Sequence, residues 1–298
     1  MAEPRPVTLA VTQMACGPDA AANVERAEGL VRRAAAAGAT VVLLQELFET
    51  EYFCKVERPG FLALARPFEG NPLVARFSAL ARELGVVLPL SFFERAGQAH
   101  FNSVAMIDAD GRVLGVYRKS HIPDGPGYEE KYYFSPGDTG FRVWDTAAGR
   151  IGVGICWDQW FPEAARAMAL AGAEMLLYPT AIGSEPTAPD YDSSTHWQNT
   201  MRGHAAANIM PVLASNRVGR EMAPRGWSDT FYGRSFIADH CGEKVQEMDR
   251  SEEGVRLHDF DLDAIAAFRR YWSVFRDRRP EMYGALMTID GKTRSAAV

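Results

Sequence analysis

The sequence lacks the features of several common protein classes. Its four cysteines form no C-x-x-C pair, so neither a disulfide framework nor a cysteine zinc site is indicated. It contains no H-E-x-x-H and no G-x-S-x-G, and its six histidines do not cluster, which argues against a zinc protease and a serine hydrolase. No apolar run approaches the length of a transmembrane helix. These absences favour a soluble, cytoplasmic protein with reduced thiols.

The charge balance argues against two kinds of partner. With 32 Lys and Arg against 38 Asp and Glu, the formal net charge is -6, which disfavours nucleic acid and an anionic membrane. The 298 residues, 47% of them hydrophobic, are enough to bury a large core. Because no linker or low-complexity segment interrupts the chain, we predict a single domain over residues 1–298.

One stretch, residues 150–163, combines a strand signal, a cysteine and a helix start. Residues 151–155 are apolar with glycines at alternate positions, which predicts a buried strand, and Pro162 is typical of the first turn of a helix. Cys156 therefore lies at a strand-to-helix elbow. There its thiol could attack a carbonyl, and the backbone amide of Trp157 could hold the oxyanion. Taken alone, Cys156 would more often be a buried structural cysteine.

Two further strands end near an ionisable residue. The apolar run 41–44 leads to Glu46, and the hairpin strand 113–117 leads to Lys119. Because sites in α/β sheets form beyond strand ends, we expect both side chains to meet Cys156 in one crevice. A carboxylate could take the thiol proton, and an ammonium could stabilise an oxyanion. Taken singly, Glu46 could cap a helix and Lys119 could be a solvated strand end.

Hydrophobic periodicity elsewhere predicts alternating strands and helices. Helices are expected at residues 23–37, 72–84, 162–171, 193–207 and 261–271. Further strands are expected at residues 7–11, 86–90, 103–107, 175–178, 212–215, 234–237, 244–247 and 255–260. Two halves of mixed sheet with helices outside predict an α/β protein in which two layers pack sheet to sheet.

Three segments resemble the signature segments of the nitrilase (carbon–nitrogen hydrolase) superfamily: residues 45–48, QELF; residues 117–123, YRKSHIP; and residues 154–163, GICWDQWFPE. The likeness extends over residues 7–271. It implies a four-layer α-β-β-α sandwich and a triad formed by Glu46, Lys119 and Cys156, acting through a thioester with no metal or organic cofactor. A second glutamate near the triad is usual in the superfamily, and Glu130 matches its position better than Glu129.

Longer segments resemble one branch of the superfamily, which hydrolyses the ureido group of a carbamoylated amine. Ureido-acid hydrolases of the superfamily carry basic residues soon after the cysteine, whereas this chain has Asp158 and Gln159. An acidic pocket attracts an ammonium and repels a carboxylate, so we predict a small cationic ureido substrate. Glu185 is favoured over Asp158 as the ammonium partner, because Asp158 is suited to fix the elbow through local backbone bonds. Tyr52 and Thr180 are further candidates for substrate contact.

The sequence leaves other interpretations of the function open. A Cys–His hydrolase would use His121, His196 or His204 as its base. The substrate could be another N-carbamoyl amine or an amide, and a non-catalytic binding member would keep the sandwich without turnover.

The likeness also implies self-assembly, because superfamily members pair through the helices next to the cysteine elbow, here residues 161–171 and 193–207. The segment after residue 271 is too apolar for a free tail, since it contains Trp272 and Phe275. We therefore expect a homo-oligomer, at least a dimer, in which the tail from about residue 272 contacts a neighbouring subunit.

Overall fold

The computed structural model of the protein describes residues 4–223 and 228–292. Its helices are α1 (Ala20–Ala36), α2 (Pro72–Leu84), α3 (Glu130–Tyr133), α4 (Pro162–Leu170), α5 (Ser194–Asn208) and α6 (Leu262–Trp272). Its strands are β1 (Pro6–Gln13), β2 (Val41–Leu43), β3 (Leu88–Ala96), β4 (Ala99–Ile107), β5 (Val113–Arg118), β6 (Val143–Thr146), β7 (Gly149–Val153), β8 (Met175–Pro179), β9 (Val212–Ser215), β10 (Val218–Met222), β11 (Ser228–Tyr232), β12 (Phe236–Ala238), β13 (Lys244–Glu247) and β14 (Gly254–Asp261).

Two mixed sheets form the centre of the fold. In the first, β1 pairs in parallel with β2 and antiparallel with β14, while β3, β4 and β5 form an antiparallel meander. A parallel bridge between Val41 and Val87 joins β2 to the start of β3, so these two groups of strands continue as one surface. The second sheet has the order β13-β12-β9-β8-β7-β6, with β7, β8 and β9 parallel.

Alternating side chains bury both faces of each sheet. In β1, Ala10 packs with the apolar faces of α1 and α2, whereas its neighbour Leu9 belongs to the core between the sheets. In β8, Leu176 packs with α4 and α5, whereas Leu177 faces the first sheet. The layers therefore run helix, sheet, sheet, helix, which confirms the predicted α-β-β-α sandwich.

Most predicted elements are present, several with shifted ends. Helix α1 begins at Ala20 rather than at residue 23, because the Asp19 side chain caps it by accepting hydrogen bonds from the backbone of Ala21 and Ala22. Strand β3 continues to Ala96, beyond the predicted residue 90, because it pairs with β4 along its length. Strands β6, β10 and β11 and the short helix α3 were not predicted from the sequence.

The segment after α6 exposes large apolar side chains. Trp272, Met282 and Met287 are 58%, 68% and 85% exposed. Phe275 instead lies against α4 and α6, with the guanidinium groups of Arg166 and Arg269 at 4.8 Å and 5.8 Å from its ring centre. Contact of this tail with a neighbouring subunit stays a prediction, as does the single domain over residues 1–298.

Within the described part of the chain, no helix combines the length and apolar character needed to cross a bilayer.

Candidate active site

Cys156 lies at the turn between β7 and α4. Its φ of 43° is in the left-handed region, which non-glycine residues rarely adopt and which is common where strain serves a site. A short 3₁₀ turn, Cys156–Trp160, follows, and Pro162 then opens α4. Gly154 makes this turn possible, because a Cβ there would come within 2.9 Å of the Tyr178 ring. The predicted strand-to-helix elbow is thus present.

Asp158 braces this elbow from inside. Its Oδ2 accepts hydrogen bonds from the Ile155 amide at 2.9 Å and the Tyr117 hydroxyl at 2.8 Å. Its Oδ1 accepts one from the His121 amide at 3.0 Å and lies 2.7 Å from His121 Nδ1. Both oxygens of this fully buried carboxylate are therefore engaged by the protein. This differs from the predicted contact with substrate and agrees with the alternative, that Asp158 fixes the turn.

Glu46, Lys119 and Glu130 form a fully buried charge cluster. Lys119 Nζ donates to Glu46 Oε1 at 2.9 Å and to Glu130 Oε2 at 2.6 Å. Glu46 follows β2, and Lys119 follows β5, as predicted from the strand ends. Glu130 is the first residue of α3, and its Oε1 accepts a hydrogen bond from the Tyr52 hydroxyl at 2.7 Å. One lysine thus holds two carboxylates from separate parts of the chain.

The electrostatics of the cluster favour a neutral thiol at rest. Burial raises the pKa of Cys156 well above its usual value, and Glu46 adds to the rise while Lys119 opposes it. Burial alone would lower the pKa of Lys119, but the carboxylates of Glu130 and Glu46 outweigh it and raise that pKa. Burial raises the pKa of Glu130 to about 7, against the opposing effect of Lys119. Attack by Cys156 therefore needs a base that removes its proton during the reaction.

A cavity of about 290 Å³ opens beside Cys156. Its described lining includes three acidic residues, Asp124, Glu130 and Glu185, and no lysine or arginine. Trp157, the residue after the cysteine, also lines it, with 38% of its surface exposed. Glu185 is partly buried, which raises its pKa. Cys156 and the acidic residues thus line the same cavity.

Tyr52 and Thr180, both predicted to contact the substrate, make hydrogen bonds within the protein. The Tyr52 ring is fully buried, and its hydroxyl serves Glu130; the Thr180 hydroxyl contacts Gln159 Oε1 and the Tyr178 carbonyl oxygen, both at 3.1 Å. Neither residue is among the described lining of the cavity. Contact of either residue with substrate stays a prediction.

The three histidines considered as alternative bases also lie elsewhere. His121 stacks on Phe161 with ring centres 3.6 Å apart, and His204 Nε2 lies 2.7 Å from the Gln159 carbonyl oxygen. His196 lies beside the Trp160 ring. None of the three is among the described residues that line the cavity.

Sequence reasoning missed two buried residues that contact Glu46. Asn102 Nδ2 donates to Glu46 Oε1 at 2.6 Å, and Arg217 Nη2 donates to the Glu46 carbonyl oxygen at 3.0 Å. Arg217 comes soon after the apolar strand β9, a strand-end position like that of Glu46 itself, so the same rule could have found it. Asn102 is a polar residue inside an otherwise largely apolar strand, and this contrast is the signal for it in the sequence.

Asp229 is a further buried carboxylate close to the cavity wall. It is 0% exposed, and within the described residues neither of its oxygens has a hydrogen-bond partner. Burial raises its pKa to about 7, with Lys55 opposing and Glu185 contributing to the rise. A Cβ on Gly127, next to the lining residue Tyr128, would be 3.0 Å from Asp229 Oδ1.

This carboxyl should make folding stability depend on pH. The folded protein keeps the Asp229 proton up to about pH 7, but the unfolded chain loses it near about pH 4, so stability falls as the pH rises between these values. Asp229→Asn removes that loss. We expect it to raise the melting temperature more at about pH 8 than at about pH 5. Asp145→Asn, at an exposed position, is the control and should show no such difference. Equal shifts of the Asp229→Asn protein at both pH values would contradict the prediction.

The sequence matches a family model described as carbon-nitrogen hydrolase over residues 8–270. The chain is 57% identical to the N-carbamoylputrescine amidase of Arabidopsis thaliana over 96% of this chain and 97% of that protein. It is 54% identical to the citrullinase of Francisella tularensis over 94% and 98% of the two chains. A crystal structure of a carbon-nitrogen hydrolase from Helicobacter pylori G27 aligns with a TM-score of 0.89 at 40% identity, covering 95% and 99%. The matched range contains every residue of the charge cluster and Cys156.

Proposed function

The chain belongs to the carbon-nitrogen hydrolase family of the nitrilase superfamily and is a hydrolase of carbon–nitrogen bonds; we propose that it hydrolyses N-carbamoylputrescine to putrescine, carbon dioxide and ammonia. The observation that carries this proposal is the acidic lining of the cavity beside Cys156. The free amine of this substrate is an ammonium at neutral pH, and burying it without an anion would cost several kcal/mol. Relatives named N-carbamoylputrescine amidase, at 55% to 58% identity, support the same substrate.

The chemistry begins with a proton transfer. Glu46 takes the proton of the Cys156 thiol as sulfur attacks the ureido carbon, and the Lys119 ammonium and the Trp157 amide stabilise the oxyanion that forms on the ureido oxygen. Glu46 then gives the proton to the departing nitrogen, so that ammonia leaves and a thioester remains on Cys156. The buried Lys119, with its raised pKa, stays charged throughout.

Water completes the reaction. Glu46 takes a proton from a water molecule as its oxygen attacks the thioester carbon. It returns that proton to the Cys156 sulfur as the carbon–sulfur bond breaks, which restores the thiol. The released carbamate breaks down to carbon dioxide and putrescine. Glu130 supports these steps by holding Lys119 through a second ion pair, with a Nζ to Oε2 distance of 2.6 Å.

Citrulline is the second candidate substrate, because a citrullinase is 54% identical to this chain. It carries the same ureido group but adds a carboxylate beside its amine. The described lining of the cavity offers that carboxylate no lysine or arginine, while Asp124 and Glu185 would repel it. The lining therefore favours the diamine derivative.

Glu185 should bind the ammonium group of the substrate. We expect Glu185→Gln to raise KM for N-carbamoylputrescine by one to two orders of magnitude, about 1.4–3 kcal/mol of lost binding. Its kcat should fall less, because the ammonium is equally charged in the ground and transition states. Ammonia release in steady-state assays measures both constants.

N-butylurea, which has the same ureido group and no ammonium, is the matched control substrate. Its KM should be nearly the same for the parent protein and Glu185→Gln. Asp124→Asn serves as the comparison variant at an exposed position of the same lining. An unchanged KM in Glu185→Gln together with a raised KM in Asp124→Asn would move the ammonium contact to Asp124. An unchanged KM in both variants would remove the cationic-substrate proposal.

A further inference from the structure

We propose that Asn102 is a positioning residue that selects Oε2 of Glu46 as the oxygen that exchanges protons with Cys156. The inference rests on the proposed role of Glu46 as base. Glu46 Oε1 accepts two hydrogen bonds, from Asn102 Nδ2 at 2.6 Å and from Lys119 Nζ at 2.9 Å. The other oxygen, Oε2, is equally buried, and among the described residues no hydrogen bond reaches it.

The two donors decide which oxygen can take a proton. A proton on Oε1 would have to displace the amide of Asn102 or the ammonium of Lys119, and it would leave a buried donor without an acceptor. A proton on Oε2 displaces neither. The thiol proton therefore goes from Cys156 Sγ to Glu46 Oε2, and from Oε2 to the departing ammonia. Oε2 then accepts a proton from water and returns it to Sγ as the carbon–sulfur bond breaks.

The position of Asn102 in the sheet suits this role. It lies in β4, opposite Phe93 of β3, and its backbone carbonyl oxygen accepts a hydrogen bond from the Lys119 amide at 2.8 Å. One residue thus contacts the side chain of the base and the backbone of the lysine. Asn102 and Glu46 are 0% exposed and Lys119 is 1% exposed, so water does not compete for these contacts.

The backbone of Glu46 is fixed independently. Arg217 donates to the Glu46 carbonyl oxygen at 3.0 Å and to the Leu47 carbonyl oxygen at 2.6 Å, across a turn in which Leu47 has a φ of 48°. With the main chain held, the remaining freedom of Glu46 is rotation of its side chain. Asn102 and Lys119 restrict that rotation through a single oxygen.

The test compares Asn102→Ala with the parent protein. Misplacing a catalytic group by a small distance costs up to about 100-fold in rate, so we expect kcat to fall about 10- to 100-fold. The KM should change by less than about threefold, because Asn102 is not among the described residues that line the cavity.

Two further variants separate positioning from general stability. Asn102→Asp keeps the volume of the side chain but, when ionised, offers Glu46 no donor. It should lower kcat at neutral pH by at least as much as is predicted for Asn102→Ala, so the test stands even if the alanine variant does not fold. Asn71 is a buried asparagine that caps α2 and is not part of the charge cluster. Asn71→Ala removes this cap. It should lower the melting temperature and leave kcat unchanged.

Alkylation by iodoacetamide gives a readout that needs no substrate. Peptide mass spectrometry should show slower modification of Cys156 in Asn102→Ala, while the exposed Cys241 reacts at its parent rate. Failure of the substrate proposal would leave this difference intact. The inference on Asn102 is overturned if the kcat of Asn102→Ala matches that of the parent protein, if KM alone changes, or if Asn71→Ala shows the same loss of kcat.

Discussion

Cys156→Ala should abolish turnover of every ureido and amide substrate, with kcat lower by at least about four orders of magnitude. Among the described residues no other cysteine lines the cavity beside the charge cluster. The fold should survive, because among the described residues the Cys156 thiol makes a single weak hydrogen bond, to the Ala181 carbonyl oxygen at 3.8 Å. Ammonia release measures the loss, and thermal unfolding monitored by circular dichroism checks the fold.

Cys16→Ala is the matched control for this variant. Its thiol is also buried and contacts a carbonyl oxygen, that of Phe48 at 3.4 Å, but it lies in the core beside α1 rather than in the cavity. It should keep the parent kcat. Measurable turnover in Cys156→Ala would rule out the thioester mechanism.

Glu46→Gln should lower kcat by about two to four orders of magnitude, the usual contribution of a general base. The amide oxygen of glutamine can still accept the hydrogen bonds of Asn102 and Lys119, while its NH₂ group takes the place of Oε2 and accepts no proton. The variant should therefore fold and bind substrate but react slowly in both formation and hydrolysis of the thioester. Rapid-quench measurements of ammonia release separate the two steps.

Glu49→Gln controls for the loss of a partly buried carboxylate in the same segment. Its kcat should equal that of the parent protein. If Glu46→Gln instead kept full kcat, the base would have to be another group, and Glu130 would be the first to test.

The residues at strand ends were predictable because their positions follow from local pattern. Glu46, Lys119 and Cys156 each come shortly after an apolar strand, and parallel or adjacent strands bring such ends together. Glu130 was different. It lies in a long connection with no periodic signal, and only the likeness to a known superfamily pointed to it.

Residues that act through tertiary contacts were harder to predict. Asp158 stands next to the nucleophile in the sequence, yet its carboxylate turns inward to Tyr117 and His121, which lie far away along the chain. Asn102 sits within a strand rather than at its end, so the strand-end rule does not select it. Its role depends on how β4 lies against the turn after β2.

The fold shows the same division. Helix α2 was predictable from an apolar face and a proline at its start. By contrast, strand β14 pairs with β1 at the other end of the chain, and no local pattern encodes that partner. The hairpin of β10 and β11 was missed because β10 alternates polar and apolar residues weakly and contains Arg220 and Glu221.

The central claim, hydrolysis of N-carbamoylputrescine at an acidic pocket, is tested most directly by comparing kcat/KM for that compound and for citrulline in one assay of ammonia and amine release. An unpaired carboxylate in this cavity should cost several kcal/mol, so we expect a preference of at least about 100-fold for N-carbamoylputrescine, with ammonia and putrescine released in equal amounts. A kcat/KM for citrulline equal to or above that for N-carbamoylputrescine would contradict the account.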